Sequence, residues 1–295
     1  MTRLAAWWFA PAPAQRLAAV RIIVGLYALL YVAVRLGELA SVARLPVANF
    51  APVGVIRILG APLPAGLTLA LAMATMAALA CFVVGAWWRV AAPLAAGLLL
   101  WTLSYRNSWG MVFHTENLLV IHVGALAVTP AADAYALGPR PAATPASGYG
   151  WALKLLALLT AATYVLAGVA KLRLAGLGWL DGDFLRNQIA VDNLRKALLG
   201  TPTAPLATPL LDHPGWFAMV SLATLVLELG APVVLLGGKA ARAWALGAWG
   251  FHVGVILMMN IWFPYPLFGI AYVPLLHAER VIEVARRVGR KMFRR

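Results

Sequence analysis

A lysine closes the apolar stretch "TYVLAGVA" (163–170). An amine acts as a base only when uncharged. Keeping a lysine neutral near pH 7 takes roughly 4–5 kcal/mol of desolvation or like-charge repulsion. A greasy pocket can supply that. The same Lys171 could instead snorkel its charged head to a membrane interface. At 3.6 residues per turn, Tyr164, Gly168 and Lys171 share one helical face. Small Ala167 and Gly168 on this helix would let a second helix or a ligand come close.

Other polar residues stand in apolar surroundings. His114 and Asn117, in "FHTENLL" (113–119), are three apart and face together if a helix begins there. Glu116 beside them could complement a helix N-terminus. His122 and His252 lie deeper, each about 12 Å along a helix from His114 and Asn260 respectively. No third ligand at a matching spacing accompanies them, and the segment is not HExxH, so no metal site is expected. Gly250 and Gly254 form a GxxxG packing pattern beside His252. Arg21 and Glu228 each sit deep in an apolar run, where an unpaired charge costs about 2.5–3.5 kcal/mol; they are expected to pair. "LDGDFLRNQ" reads as a turn leading into an N-capped helix rather than a cation site. No P-loop and no GxSxG occurs.

The elements that position these residues are membrane helices. Hydrophobic residues make up 63% of the chain and charged ones 12%, against roughly 25% charged in soluble domains. Mean hydropathy is +0.83. Apolar runs of about 20 residues recur, which buried helices of a soluble protein would not show. The fold class is therefore all-α, a polytopic helical membrane protein of about eight spans. These are 17–36, 65–86, 90–105, 116–130, 151–170, 215–236, 243–262 and 264–278. Seven spans plus a re-entrant piece is the alternative. Residues 138–150 read as a loop, so 1–278 form one membrane domain and 279–295 a basic tail helix. Trp7 and Trp8 mark a short interfacial segment, not a removable signal. Cys81 is the single cysteine and excludes an internal disulfide.

The tail 279–295 holds seven of the 24 Lys and Arg, which orients it towards the cytoplasm and anionic lipid, not nucleic acid. With eight spans the N-terminus is inside as well. "NSWGMVFHTEN" (107–117), Lys171 with its following loop, and "MNIWFPYP" (259–266) are then expected at the outer ends of spans, where polar residues from distant segments would converge on a site.

Three stretches, "SWGMVFHTENLLVIHVGALAVTPAADAYAL", "YVLAGVAKLRLAGLGWLDGDFLRNQ" and "FHVGVILMMNIWFPYPLFGIAYVPLL", resemble the HTTM family, the membrane domain shared with vitamin K-dependent gamma-carboxylase. The resemblance covers nearly the whole chain and is most specific at "AGVAKL" and "FHTENLL". It implies Lys171 as the base that acts on vitamin K hydroquinone, with His114 assisting. It also places His252 and Asn260 in a polar interior, and Tyr164 and Asn117 join them as candidate substrate contacts. A reduced quinone with O2 and CO2 is the implied cofactor set, a lipophilic quinol or lipid the implied ligand, and a peptide or protein a further implied substrate. Ala170 departs from the carboxylase, which has a second lysine there. A counterpart of the carboxylase's large luminal domain is not expected within these residues. The expected location is a bacterial inner membrane. A non-enzymatic scaffold, maturation factor or lipid-binding protein is the alternative. A transporter ranks last because no inverted repeat is seen.

Overall fold

The computed structural model describes residues 2–110, 112, 114–138 and 144–292. Met111 and Phe113 of the "NSWGMVFHTEN" stretch, 139–143 of the expected loop and 293–295 of the tail lie outside the described residues. The α-helices run in order α1 (Arg3–Trp8), α2 (Ala14–Val34), α3 (Leu36–Ser41), α4 (Ala65–Val84), α5 (Trp88–Asn107), α6 (Asn117–Ala127), α7 (Ser147–Ala175), α8 (Asp183–Leu198), α9 (Ala207–Leu210), α10 (Pro214–Leu229), α11 (Gly238–Met259), α12 (Pro264–Leu267) and α13 (Glu279–Met292). No strand occurs among the described residues; Ala12 and Ala146 form an isolated bridge. The protein is all-α and polytopic. Among the described residues, four helical segments are long and apolar enough to cross a membrane: Ala14–Val34, Ala65–Val84, Ser147–Asp181 and Gly238–Met259. Asn117–Ala127 and Pro214–Leu229 are shorter apolar helices. Leu30, Val34, Leu166, Leu174 and Leu246 are all more than half exposed. In lipid such residues are matched to their solvent, so a bundle of this kind needs no apolar interior distinct from its surface.

Two expected spans are broken by backbone chemistry. The run 215–236 divides into α10 and a 3-10 turn over Ala231–Leu236, because Pro232 has no N–H to continue the helix. The run 264–278 is the four-residue α12 followed by a 3-10 turn over Ile270–Leu275, with Pro274 inside it and Gly269 at a positive φ between the two. The helix expected over 151–170 instead extends to Ala175, so Lys171 lies within α7 and not in the loop after it.

The chain divides into two compact units: residues 1–156 with 276–295, and residues 157–275. In the first, α2, α4, α5 and α6 pack together, and α13 packs on α2. Thr75 of α4 and Thr102 of α5 join hydroxyls at 2.8 Å. Arg21 is fully buried and donates to the carbonyls of Ala131 (2.9 Å), Ala134 (3.3 Å) and Tyr135 (2.5 Å). Gly85 ends α4 at φ +69, where a Cβ would stand 2.7 Å from Arg21 Nη1. The turn therefore needs glycine for both its conformation and its closeness to the guanidinium.

In the second unit, α10 and α11 pack side by side and α8 packs on both. The last carbonyls of α11 have no partner within the helix. Three are taken up from outside: Leu206 N–H donates to Leu257 O at 3.0 Å, Asn193 Nδ2 to Met258 O at 3.0 Å, and Lys196 Nζ to Met259 O. Asn260 then stops the helix in a left-handed conformation, φ +47, which Asn tolerates better than most residues. Asp192 secures the clamp by accepting from Lys196 at 2.6 Å and Arg195 at 3.0 Å. Burial opposes ionisation of Asp192, but these two cations outweigh it and hold its carboxyl below the usual carboxylate range.

Candidate functional site

The shared face of α7 is real, and each of its three residues makes a distinct contact inside the second unit. Lys171 Nζ donates to Glu228 Oε1 of α10. Its side chain is 21% exposed against 3% for the carboxylate. The amine also stands over the Trp179 ring, 5.3 Å from the centroid. One turn back, Gly168 lies flush against α10, where a Cβ would come within 3.1 Å of Glu228 Cβ and 2.9 Å of Leu229 Cδ2. Any larger side chain would wedge the two helices apart and lengthen the ion pair. A further turn back, the Tyr164 hydroxyl meets His252 Nε2 at 2.9 Å and the Tyr272 hydroxyl at 2.6 Å.

The result is a largely buried polar line on α7, α10, α11 and the Ile270–Leu275 turn: Lys171 and Glu228, then Tyr164, Tyr272 and His252. Tyr164, Tyr272, Glu228 and His252 are each less than a tenth exposed. Aromatic rings wall it in. Trp244 stands edge-on to Tyr164 at 4.8 Å, and Phe251 and Phe263 lie 5.1 Å from the His252 ring. Two atoms of this line, Glu228 Oε2 and His252 Nδ1, are buried and have no hydrogen-bond partner among the described residues. Buried polar atoms are normally satisfied, so two in one cluster mark a place where a hydroxyl, an N–H or a water would be stabilised.

The expected pairing of Arg21 with Glu228 is corrected. Glu228 belongs to Lys171, and Arg21 to the carbonyls of residues 131–135. Asn260 acts as the terminator of α11, donating to Pro202 O at 3.1 Å and accepting from Trp262 Nε1 at 3.3 Å. His114 and Asn117 are both exposed, and α6 begins at Asn117. His122 is fully buried in the first unit. No group of three or more His, Cys, Asp or Glu that could hold a metal occurs among the described residues.

A second centre, in the first unit, was not foreseen. Glu116 does not cap α6 with its side chain. It accepts from the Tyr31 hydroxyl and stands 3.5 Å from Arg106 Nη1, while Arg106 Nε binds Glu38 at 2.7 Å. Arg35 lies 3.7 Å above the Tyr31 ring. A signal existed: Glu116 is a carboxylate next to an apolar run, and Tyr31, Arg35 and Glu38 sit at the end of the first span. Nothing local joined the two segments.

Between α8, α9, α10 and α11 lies a half-open apolar pocket of about 480 Å³, and none of the five polar residues above is among its lining. Gly247, Gly250 and Gly254 of α11 and the rings of Trp216, Phe217 and Phe251 are among its lining. Thr224 contributes the one lining hydroxyl among the described residues, and it is spent on Ser221 O at 2.9 Å; Trp216 adds an indole N–H. The volume lies in the range of small-molecule sites. The lining, almost wholly apolar, favours hydrocarbon.

A family model described as the HTTM domain matches residues 9–279. Neither a curated protein nor a solved structure matches the chain.

Proposed function

Because the chain belongs to the HTTM family, we propose that it is a quinol-linked membrane enzyme of the oxygenase, epoxidase or carboxylase-like kind, with Lys171 as its base. The observation that carries this reading is the buried Lys171–Glu228 pair with an unpartnered carboxylate oxygen. One proton is shared between the two groups. It resides on nitrogen, giving ammonium and carboxylate, or on oxygen, giving amine and carboxylic acid. Both arrangements are neutral overall. A low-dielectric site penalises the separated charges, so the amine form becomes accessible without losing a proton to bulk water. The free amine can then take a proton from a hydroxyl held against it.

A lipophilic quinol fits the residues present. The apolar pocket suits a hydrocarbon tail, and the unpartnered Glu228 oxygen and His252 ring nitrogen suit hydroxyl groups. When bound, a reduced quinone with O2 would supply the redox chemistry and CO2 the carboxylating group. The chain's own share is to hold the proton at Lys171 or Glu228, to orient an oxygen through Tyr164 and His252, and to exclude water with Trp244, Phe251 and Phe263. We assign the imidazole role to His252 rather than His114, since His252 connects through Tyr164 to the Lys171 face. The protein acts within a bilayer, read as a bacterial inner membrane with both chain ends cytoplasmic; a peptide or protein substrate is compatible with this reading.

The second reading is a non-enzymatic lipid-binding scaffold, favoured by the same ion pair taken as a tie between α7 and α10. Quinol-dependent oxygen uptake by the purified protein in nanodiscs separates the two. The enzyme reading expects uptake that is abolished in Lys171→Ala and strongly reduced in Glu228→Gln. Uptake that persists in Lys171→Ala, or none in the parent protein across a panel of quinols, overturns it.

A further inference from the structure

The two ends of the first unit present basic and apolar side chains around one end of α2. Glu279, at the start of α13, is gripped by Arg16 in the first turn of α2, with Nε 3.1 and 3.2 Å from the two carboxylate oxygens and Nη2 at 2.9 Å. Burial works against the Glu279 charge, but this fork outweighs it and keeps the carboxyl below the usual range. The same end of α2 receives α1: the bridge between Ala12 and Ala146 joins the segment after α1 to the start of α7. Lys154 of α7 donates to Trp8 O at 3.3 Å and stands 5.4 Å from the Trp7 ring centroid. Leu4 on α1 is 70% exposed, and Val281 and Val284 on α13 are 61% and 59% exposed. Arg3, Arg280 and Arg287 are exposed alongside.

We propose that α1 and α13 form a single lipid-docking collar that binds anionic phospholipid headgroups at the membrane surface where α2 begins. Charge argues for the occupant. Residues 279–295 carry seven Lys and Arg against two Glu, and Arg16 neutralises one of those Glu. Val281 and Val284 stand three residues apart, giving α13 a short exposed apolar stripe beside Arg280 and Arg287. That stripe seats among acyl chains while the arginines reach phosphate, as in interfacial helices. A water-soluble polyanion would match the arginines but not the valines and Leu4. The Trp7–Trp8 pair belongs at headgroup depth. The Arg16–Glu279 fork sets where α13 leaves the bundle, so the collar is pre-aligned with the bilayer plane.

The test uses the full chain in nanodiscs. Cys81→Ala removes the single thiol, and Val284→Cys carries an environment-sensitive dye. Emission should shift to the blue in discs containing phosphatidylglycerol relative to phosphatidylcholine alone, and the shift should fade as salt is raised. Arg280→Gln and Arg287→Gln should each reduce the docked-to-undocked ratio about fivefold. Glu279→Gln adds positive charge, yet it should weaken docking because the fork is lost; tighter docking would remove the clamp from the proposal. Leu4→Cys is a second probe that does not depend on α13 folding, and it should show the same lipid dependence. Equal emission of both probes in the two disc types overturns the collar. So does a shift produced by single-stranded RNA but not by phosphatidylglycerol.

Discussion

Replacing Lys171 by methionine keeps an unbranched side chain as far as Cε and removes the charged amine. The carboxylate left behind is 3% exposed, and its second oxygen already has no partner. Stranding a buried charge in this way costs about 3–5 kcal/mol. Glu228→Gln is the milder change. The ammonium it leaves is 21% exposed and retains the Trp179 ring, so about 1–2 kcal/mol is lost. In the double variant no charge is stranded, and its cost should stay near that of Glu228→Gln alone. The coupling energy then equals the Lys171→Met cost, about 3–5 kcal/mol, a hundredfold or more in the unfolding equilibrium. Reversible unfolding of the purified protein in mixed micelles measures it. Lowering the pH should narrow the deficit of Lys171→Met specifically, because protonation neutralises the stranded carboxylate. Single effects that add to within about 0.5 kcal/mol, with no pH dependence, would show that the two groups do not share a proton and that the reasoning is wrong.

Further outcomes follow from other contacts. Tyr164→Phe leaves His252 Nε2 and the Tyr272 hydroxyl without their partner, and should destabilise by about 1–3 kcal/mol in the same unfolding assay, with Tyr272→Phe costing less. Gly168→Val should cost about 1–3 kcal/mol through overpacking against Leu229 and Glu228, and should lower any quinol-dependent rate by more than the loss of folded protein explains. Asp192 has a depressed folded value, so its contribution is complete above the ordinary carboxylate range and is lost as pH falls through that lower value. Hydrogen exchange at the end of α11 should therefore quicken in acid, and Asp192→Asn should show the faster exchange already at neutral pH.

What could be read along the chain is what depends on near neighbours. Composition and run length declared a helical membrane protein because each apolar segment must satisfy its own backbone in lipid. Helical period alone put Tyr164, Gly168 and Lys171 on one face, and all three use that face. Proline positions explain where the last apolar runs break, although run length alone had suggested full spans there. Partners were a different matter. Depth along a helix is one coordinate, and Arg21 and Glu228 agreed in it without being joined. Which helix faces which is set by packing, and packing gave Glu228 to Lys171, 57 residues earlier in the chain, and Tyr272 to Tyr164, 108 residues away. The Glu116–Tyr31–Arg106 centre was hidden for the same reason, its hydroxyl lying 85 residues from its carboxylate. The sequence determined the medium, the helices and the reactive face; the tertiary structure decided which buried charge stands opposite that face, because a buried polar group is stabilised by whatever the fold brings within about 3 Å of it and by nothing that its own segment can specify.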